Sequence, residues 1–542
     1  MASSSQKAHT QRSKQSGPFA QRGRLPAATT ILNLELDHGR GSQRLYRQIR
    51  DHIRSAILTG SLGIDTRLPA ERELATALGV NRATVVRAYQ ELSAEGLVVA
   101  RGSRGTLVAP MPDDSGGHMI VGSDLEPAWL LDVATHRMNG LGPDPTVIRE
   151  LVVSGARPGV IPFAAAGPGP ELLPLDELRT SLEVALGTWG AAPLRYGPVE
   201  GFEPLRQALR ERYASEVIGE NDEVMVVSGA TQGLEVAARA LIEPGDAVLV
   251  EAPAYVGTIQ AFGLAGAQLV GIPVDQNGIR VDLMEKVLSR RRVRLIAVQP
   301  TFHNPTGASL SPARREHLLG LARRYAVPVL EDDPYRLLRY DGAPTPPLKG
   351  LDRHANVIYL SSFSKSVAPG LRLGWMAAHR SVLSRLALAK QFSDLNSGGL
   401  AQAAMAYFIS SGRYDAHVRR TVPVYRERRS ALIDELARQT PDVVPMTLPQ
   451  GGFHVWCRLP VEAAARQVMA AASRFGVSVV AGQAFYPPYS LGRDSGHDRL
   501  RLSFPEVPPE AAREGVRRLA QAVEEASSQS VQSIETGTRV LI

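Results

Sequence analysis

The chain of 542 residues has a single cysteine, Cys457, which excludes an intramolecular disulfide framework. So little cysteine is typical of proteins from a reducing compartment, and we expect a cytoplasmic protein. No apolar run approaches the roughly 20 residues that span a bilayer, and the first residues lack the apolar stretch of a secretory signal. Cysteine and histidine form no cluster with metal-ligand spacing. The sequence therefore predicts neither a membrane span nor a metal site.

Acidic residues are scarce in one part of the chain. Residues 1–110 carry 16 Lys and Arg against 8 Asp and Glu, whereas the remaining residues are nearly neutral, for a net charge of +7. This asymmetry is typical of a nucleic-acid-facing segment joined to a neutral body, although a solvated basic tail would give the same count. The length exceeds one ordinary core, so at least two domains are expected.

Composition and periodicity divide the chain into five parts. Residues 1–40 lack sustained periodicity and are predicted to form a disordered basic tail. A folded segment follows at 41–110, and a linker rich in Pro, Asp, Gly and Ser occupies 111–155. Short apolar runs then alternate with helical patterns over 156–525, which predicts an α/β domain with a largely parallel sheet. Residues 526–542 resemble a flexible tail.

The segment 41–110 has the element order of a winged helix-turn-helix. Leu45 begins an apolar stripe that recurs every four residues and predicts a first helix. Pro69 opens a short second helix, and Asn81 is suited to cap a third. The run LVVARGSRGTLVA predicts a hairpin. Helix, helix-turn-helix and a two-stranded wing together predict a DNA-binding module.

Four side chains in this module are candidate DNA contacts. A recognition helix fits the major groove with its first residues toward base edges, where Arg82 and Thr84 lie. Arg72 near the second helix and Arg101 in the wing are placed to meet phosphates, as is Arg104. The alternative is a small helical packing module with exposed arginines.

The stretch LPAERELATALGVNRATVVRAYQELSAEGLVVARGSRGTLVA resembles the GntR family over residues 43–110. The family pattern is a proline, Glu-Arg-x-Leu-Ala, Arg-x-Thr at the recognition helix and Glu-Gly-Leu before the wing. Asn81 stands where the family often has serine, and it can cap equally well. The resemblance implies sequence-specific binding to a double-stranded DNA operator, with Arg72, Arg82 and Thr84 as contacts.

Unusual polar residues follow the predicted strands of the second domain, where ligands gather in open α/β sheets. Ala230 and Thr231 begin a helix after a glycine and suit a phosphate, and Tyr255 suits ring stacking, although each alone is more often structural. A strand-end carboxylate at Asp332 or Asp333 is costly unless it is paired with a cation. A lysine near a dry sheet end, Lys365, can form an imine. Together these positions predict one site for pyridoxal 5'-phosphate (PLP).

The motifs EAPAYVG, PTFHNPTG, EDDPYR and SSFSKSVAPGLRLGW resemble class I/II aminotransferases of the fold-type I PLP enzymes. The likeness spans about residues 160–520 and is nearest to the 2-aminoadipate and kynurenine aminotransferases. It implies an α/β PLP-dependent transferase fold with a small C-terminal α+β subdomain. Lys365 would form the imine, and Asp332, preferred by its Asp-x-x-Tyr spacing, would pair with the pyridine nitrogen. Tyr335 and Asn304 would meet the ring hydroxyl, and Tyr255 would stack on the ring and assist catalysis.

The same resemblance assigns the remaining site residues. The phosphate would be held by five residues of this chain: Ala230, Thr231, Ser362, Ser364 and Arg372. Tyr196 of RYGPVEG would reach the phosphate of a partner subunit, and Arg501, together with Asn304, would bind the substrate carboxylate. Related enzymes often carry serine where this chain has Ala230, so phosphate binding is expected to weaken slightly.

A GntR-like module joined to an aminotransferase-like domain is the layout of MocR-type regulators. The resemblance implies a head-to-tail homodimer in which PLP, or PLP with an amino acid or related amino compound, changes the conformation that binds the operator. A working aminotransferase with 2-oxoglutarate as acceptor is the second hypothesis. A third is a degenerate PLP fold that serves only as a dimerisation scaffold.

Overall fold

The computed structural model of the protein describes residues 34, 36, 45–58, 62, 66–94, 97–100, 105–109, 159–492 and 494–535. The chain divides into two compact units, residues 1–128 and 129–542. The predicted linker lies outside the described residues, as does most of the predicted N-terminal tail. In the part of the chain that is described, no helix is long and apolar enough to cross a membrane.

The first unit has the predicted order of three helices and a hairpin. Helix α1 spans Leu45–Leu58, α2 spans Glu71–Ala77 and α3 spans Arg82–Ala94. Strands β1 (Val98–Ala100) and β2 (Thr106–Val108) pair antiparallel and form the wing. The predicted winged helix-turn-helix is therefore confirmed.

Local sequence explains these elements. Ile49 and Ile53 of α1 are fully buried in one core with Val85 of α3, as the four-residue spacing predicts. The Asn81 side chain caps α3, because its Oδ1 accepts a hydrogen bond from the Ala83 N–H at 2.9 Å. Two leucines in the predicted tail, at positions 34 and 36, pack against this core. That short segment is therefore not a free tail, since apolar side chains two residues apart share one face of an extended chain.

The second unit is built on an eight-stranded sheet with the order β4-β11-β10-β9-β8-β5-β6-β7. Only β11 and the short β7 pair antiparallel with their neighbours in this sheet, and the other pairings are parallel. The predicted α/β architecture is thus confirmed. Its strands are β4 (Asp222–Val227), β5 (Ala247–Ala252), β6 (Gln268–Asp275), β7 (Gly278–Ile279), β8 (Leu295–Val298), β9 (Val329–Asp332), β10 (Val357–Ser362) and β11 (Gly374–His379).

Helices cover both faces of this sheet and bury its apolar side chains in separate cores. They alternate with the strands along the chain, which is why the sheet is mainly parallel. The helices of this large lobe are α4 (Leu175–Trp189), α5 (Glu203–Tyr213), α6 (Ala230–Leu241), α7 (Val256–Leu264), α8 (Val281–Leu288), α9 (Pro312–Arg324), α10 (Leu348–Leu351), α11 (Arg380–Asp394) and α12 (Gly399–Ser410).

A small α+β lobe follows, as the family resemblance implied. Its four-stranded sheet has the order β12-β13-β16-β15, and β14 pairs with an early strand, β3 (Ile161–Pro162). These strands are β12 (Val444–Pro445), β13 (His454–Arg458), β14 (Val477–Ser478), β15 (Val480–Ala481) and β16 (Arg499–Ser503). The helices are α13 (Arg413–Gln439), α14 (Ala465–Arg474) and α15 (Pro509–Glu535).

The last helix corrects one predicted boundary. The flexible tail was expected to begin at Ala526, but α15 continues to Glu535. Ala526 is buried in the small-lobe core together with Leu519 and Val523. The apolar helical spacing therefore runs past the polar composition that suggested a tail. Residues 536–542 lie outside the described part.

Candidate functional site

Three neighbouring parallel strands end at one edge of the large sheet, and polar side chains follow each of them. Asp332 is the last residue of β9, Ser362 is the last residue of β10, and Gln299 directly follows β8. Lys365 comes three residues after β10, in the turn toward β11. Since parallel strands point the same way, their carboxyl ends lie side by side. The topology thus gathers a carboxylate, an amide and an amine.

Asp332 has one satisfied and one unsatisfied oxygen. Its Oδ2 accepts a hydrogen bond from Gln299 Nε2 at 2.5 Å, while Oδ1 is buried with no hydrogen-bond partner among the described residues. Burial raises the pKa of Asp332 to about 7. The neighbouring Asp333 is instead bonded to the Tyr359 hydroxyl at 3.1 Å and lies 3.6 Å from Arg336. Asp332 is therefore the carboxylate that favours an added N–H donor or cation.

Gln299 organises the strand ends and was not singled out in the sequence. Besides bonding Asp332, its Oε1 accepts from the Asn304 N–H at 3.1 Å. Its own backbone N–H donates to Glu251 Oε2 at 3.0 Å. The available signal was its place directly after a buried strand, the rule that identified the other candidates. Gln299 fixes Asp332 relative to the loop that carries Asn304.

Lys365 is half-buried, and its Nζ donates a hydrogen bond to the Ala166 carbonyl at 2.8 Å. Burial and the nearby Arg501 charge lower the pKa of Lys365 to about 8. A lysine with a lowered pKa is largely neutral in mildly alkaline solution, and the neutral amine is the nucleophile. The geometry therefore suits covalent attachment of an aldehyde.

The start of α6 and Arg372 form a cradle suited to an anion. Ala230 and Thr231 are the first helical residues, where backbone N–H groups have no acceptor within the helix. Arg372 Nη2 lies 3.4 Å from the Ser228 carbonyl. At Gly229, whose φ is +89°, an added Cβ would lie 2.7 Å from Arg372 Nη2. Glycine therefore lets the guanidinium approach the helix start.

Ser362 and Ser364 are both buried in the turn before Lys365. Ser362 Oγ accepts from the Ser364 N–H at 3.1 Å and lies 3.4 Å from the Leu373 carbonyl. These contacts hold the turn in place. Their direct effect is to position Lys365, and the phosphate contacts that the resemblance implied stay a prediction.

Tyr255 directly precedes α7 and lies among the charged groups of the site. Its side chain hydrogen-bonds Thr231. Burial raises the pKa of Tyr255, and the charges of Asp332, Arg501 and Arg372 all act on it. The phenol is therefore held in the space between the carboxylate and the two guanidinium groups.

Tyr335 has a protein partner that sequence reasoning missed. Its hydroxyl lies 3.0 Å from His454 Nε2, and His454 Nδ1 lies 3.0 Å from Ser503 Oγ. Burial lowers the pKa of His454 well below its usual range, so the ring is neutral. This chain of contacts from β13 and β16 fixes the phenol, whose contact with a cofactor ring stays a prediction.

Arg501 is a buried arginine without an acidic partner. It is 2% exposed, and its Nη1 donates to Asn304 Oδ1 at 3.3 Å and its Nη2 to the Ala164 carbonyl at 2.6 Å. Its Nε has no hydrogen-bond partner among the described residues, where no carboxylate lies within 4.0 Å of it. Burial lowers the pKa of Arg501 to about 10. Such a cation is stabilised by an anionic ligand.

Tyr196 lies at the protein surface with 89% of its area exposed. It lines a cleft with Asp394 and Asn396. Asp394 Oδ2 accepts from the Ser228 hydroxyl at 3.1 Å, immediately before the cradle at α6. The cleft is therefore adjacent to the anion cradle of the same chain, and Tyr196 projects from it.

Two predicted DNA contacts in the first unit are exposed, and Thr84 is half-buried. Arg72 lies on α2, and Arg82 begins α3 with its side chain 54% exposed. Arg82 Nε and Nη2 donate to Glu71 Oε2 at 3.2 and 2.8 Å. This pair uses one edge of the guanidinium and holds it at the start of the recognition helix.

The predicted wing contacts Arg101 and Arg104 lie outside the described residues. A different exposed cation, Arg67, lies at the wing. A Cβ on Gly105 would lie 3.1 Å from Arg67 Nε. Arg67 precedes the second helix by four residues, so only the pairing of its backbone with the hairpin residue Leu107 reveals this position.

Comparison with known proteins matches both units. Residues 45–108 match the model of bacterial regulatory proteins of the gntR family, and residues 191–519 match the model of aminotransferase class I and II. The probable rhizopine catabolism regulatory protein MocR of Rhizobium meliloti is 30% identical over 485 residues, which cover 88% of this chain and 93% of that protein. The chain belongs to the MocR-type GntR family.

Relatives of this MocR-type chain also include proteins named as aminotransferases. Aromatic-amino-acid aminotransferase 1 of Thermococcus litoralis is 36% identical over 394 residues, which cover 71% of this chain and 93% of that protein. The crystal structure of LysN, an alpha-aminoadipate aminotransferase from Thermus thermophilus complexed with N-(5'-phosphopyridoxyl)-L-leucine, aligns with a TM-score of 0.67. That structure is 33% identical and covers 74% of this chain and 100% of its own. The second unit is thus a fold-type I aminotransferase domain.

Proposed function

We propose that this chain is a PLP-dependent, DNA-binding transcriptional regulator. Its aminotransferase domain binds PLP through Lys365 and senses an amino compound or PLP itself. The observation that carries the proposal is the joining, in one chain, of a winged helix-turn-helix to a domain whose strand ends gather Lys365, Asp332 and Arg501. Neither part alone would account for the other.

The residues present fit PLP. Asp332 Oδ1 is buried and lacks a partner among the described residues, so it suits the ring nitrogen of a pyridine as an N–H donor. The α6 start and Arg372 suit a phosphate. When bound, PLP supplies an electron-withdrawing ring to the amino group of a ligand.

Each side chain then has a defined task. Asp332 would keep a proton at the ring nitrogen, and its raised pKa matches a carboxylate that gains stability from such a cation. Lys365 would hold the aldehyde carbon and exchange protons at Nζ. Tyr255 would stack on the ring, and Tyr335 and Asn304 would meet its hydroxyl.

The phosphate and carboxylate contacts complete the proposal. Ala230, Thr231, Ser362, Ser364 and Arg372 would hold the phosphate. Arg501, which lacks a carboxylate partner within the described part of the chain, would bind the carboxylate of an amino acid. Its unused Nε, at the edge of a planar fork, supports this assignment.

We further propose a head-to-tail homodimer in which Tyr196 reaches the partner's phosphate. Large apolar side chains are exposed in the same region, namely Leu194 at 64% and Phe392 at 83%. Exposed apolar surface of this kind is typical of an interface. The double-stranded operator would be read by Arg82 and Thr84, with Arg72 and Arg101 on phosphates.

Unbiased selection of genomic DNA fragments tests the regulator. The full-length protein, with and without PLP, is mixed with fragments of its own genome, and the retained DNA is sequenced. We expect a discrete set of fragments whose affinity falls steeply with salt and changes with PLP or an added amino compound. Retention of no fragment under any of these conditions would overturn the proposal.

A working aminotransferase is the second candidate, and the buried Arg501 favours it because substrate carboxylates need such a cation. The test mixes the PLP-loaded protein with single amino acids and follows the visible absorbance of the cofactor. Loss of that absorbance, followed by recovery on adding 2-oxoglutarate, would support turnover. Unchanged absorbance with every amino acid would exclude it.

A further inference from the structure

Three charged side chains are attached to one short backbone segment, residues 164–167. Arg501 Nη2 donates to the carbonyl of the first residue at 2.6 Å. Lys365 Nζ donates to the carbonyl of the third at 2.8 Å. Glu506 accepts a hydrogen bond from the N–H of the fourth. Four residues reach at most about 14 Å, so a guanidinium, an amine and a carboxylate lie in a short row.

Lys365 and Glu506 bind the two sides of the same peptide group. The carbonyl of residue 166 and the N–H of residue 167 belong to one peptide bond, and in a trans peptide they point in opposite directions. Adding two hydrogen-bond lengths to the width of the peptide places Nζ and the carboxylate at most roughly 8 Å apart. That separation suits the two nitrogens of a diamine with a short methylene chain.

Glu506 lacks a direct cationic partner. It is half-buried, and no Lys, Arg or His nitrogen of the described residues lies within 4.0 Å of its carboxylate. The nearby Arg428 donates to Glu171 and to the Pro505 carbonyl instead. Burial accordingly raises the pKa of Glu506. A half-buried carboxylate that accepts one backbone N–H gains from an added cation.

The proposed function assigns Lys365 and Arg501 but leaves Glu506 without a task. We propose that Glu506 binds a second cationic group of the ligand, so that the site selects amino acids whose side chain ends in an ammonium. The α-carboxylate would face Arg501, the α-amine would face Lys365, and the distal ammonium would face Glu506. This inference rests on the proposed function.

Calorimetry with matched ligands tests this selectivity. The full-length, PLP-loaded chain is titrated with L-2,4-diaminobutyrate, L-ornithine and L-lysine, and with the neutral L-2-aminobutyrate, L-norvaline and L-norleucine. We expect at least one cationic ligand to bind about tenfold or more tightly than the neutral ligand of equal methylene number, as the loss of a partly buried charge pair implies. A thermal shift measured on the same samples provides a second readout.

Variants locate the effect. Glu506→Gln is expected to abolish the preference for the cationic ligand and to change the Kd of the neutral ligand by less than about twofold. Glu510→Gln, at the exposed start of α15, is the matched control and is expected to keep the preference. Should Glu506→Gln fail to fold, Glu506→Asp retains the charge with a shorter reach. It is then expected to shift the preference toward the longer ligand.

The outcomes separate this inference from the function beneath it. Equal or tighter binding of the neutral ligands by the unchanged chain would overturn the role of Glu506 and leave amino-acid sensing intact. A preference for cationic ligands that survives Glu506→Gln would have the same consequence. Failure of all six ligands, and of other amino acids and amines, to bind would count against the sensing function itself.

Discussion

The two units of the chain use arginine in opposite ways. In the helix-turn-helix unit, Arg82 is 54% exposed and pairs with Glu71 at the surface. In the aminotransferase unit, Arg501 is 2% exposed and has no acidic partner among the described residues. An exposed cation keeps its hydration when its ligand is absent, whereas a buried cation does not. The first arrangement suits a long polyanion, and the second suits a small anion that completes the site.

This difference predicts different responses to salt. Contacts between exposed arginines and phosphates are screened over about 10 Å at 0.1 M salt and release counterions, so affinity falls steeply. A carboxylate on the buried Arg501 is screened much less. Ligand binding and DNA binding by the same sample should therefore separate along a salt titration.

The largest expected effect is on the cofactor side of this comparison. Lys365→Ala is predicted to abolish the visible absorbance of bound PLP, because the nucleophilic amine is removed. Absorbance spectra of the protein incubated with PLP and desalted measure this. Lys286→Ala, at an exposed position on α8, is the control and should keep the spectrum. An unchanged spectrum for Lys365→Ala would mean that another lysine binds the cofactor.

Removal of the buried cation should have the next largest effect. Arg501→Gln is predicted to weaken the binding of amino acids by about 2–5 kcal/mol, roughly thirtyfold or more, since the carboxylate loses its charged partner. Calorimetry with the PLP-loaded protein measures the change. Amines that lack the carboxylate serve as matched ligands and should lose little affinity. Equal losses for both kinds of ligand would contradict the assignment.

On the DNA side, the expected effect is smaller. Arg82→Ala is predicted to weaken operator binding by about 1–3 kcal/mol and to relax specificity, because one base contact is lost among many phosphate contacts. Fluorescence anisotropy with a selected operator and with unrelated DNA measures both. The two affinities falling by the same factor would make Arg82 a phosphate contact rather than a base contact.

The smallest expected effect concerns pH. The pKa of Lys365 is lowered to about 8, so about half of its amine is neutral at pH 8 and nearly all at pH 10. PLP attachment should therefore speed up only about twofold between these values, after correction for PLP titration with Nα-acetyl-lysine. Stopped-flow absorbance measures the rate. A rise approaching a hundredfold would indicate a lysine with an ordinary pKa.

Much of the site could be predicted because its signals are local. Periodicity identified the helices and strands, and the strand-end rule identified Asp332 and Lys365 from their immediate neighbours. His454 and Glu506 were missed because their partners are distant in sequence: Tyr335 lies 119 residues before His454. Gln299 was missed although its position after a buried strand was informative. Long-range contacts leave no periodic trace in a single sequence.

The sequence by itself determined the two units, the order of their elements and the family to which they belong, since these depend on local periodicity and short motifs. Only the tertiary structure decided which oxygen of Asp332 lacks a partner, that Arg501 has no acid beside it among the described residues, and that Glu506 shares a peptide group with Lys365. These facts depend on how the strand ends and the small lobe pack together. Packing sets burial and pairing, and burial and pairing set the charge that a ligand must supply.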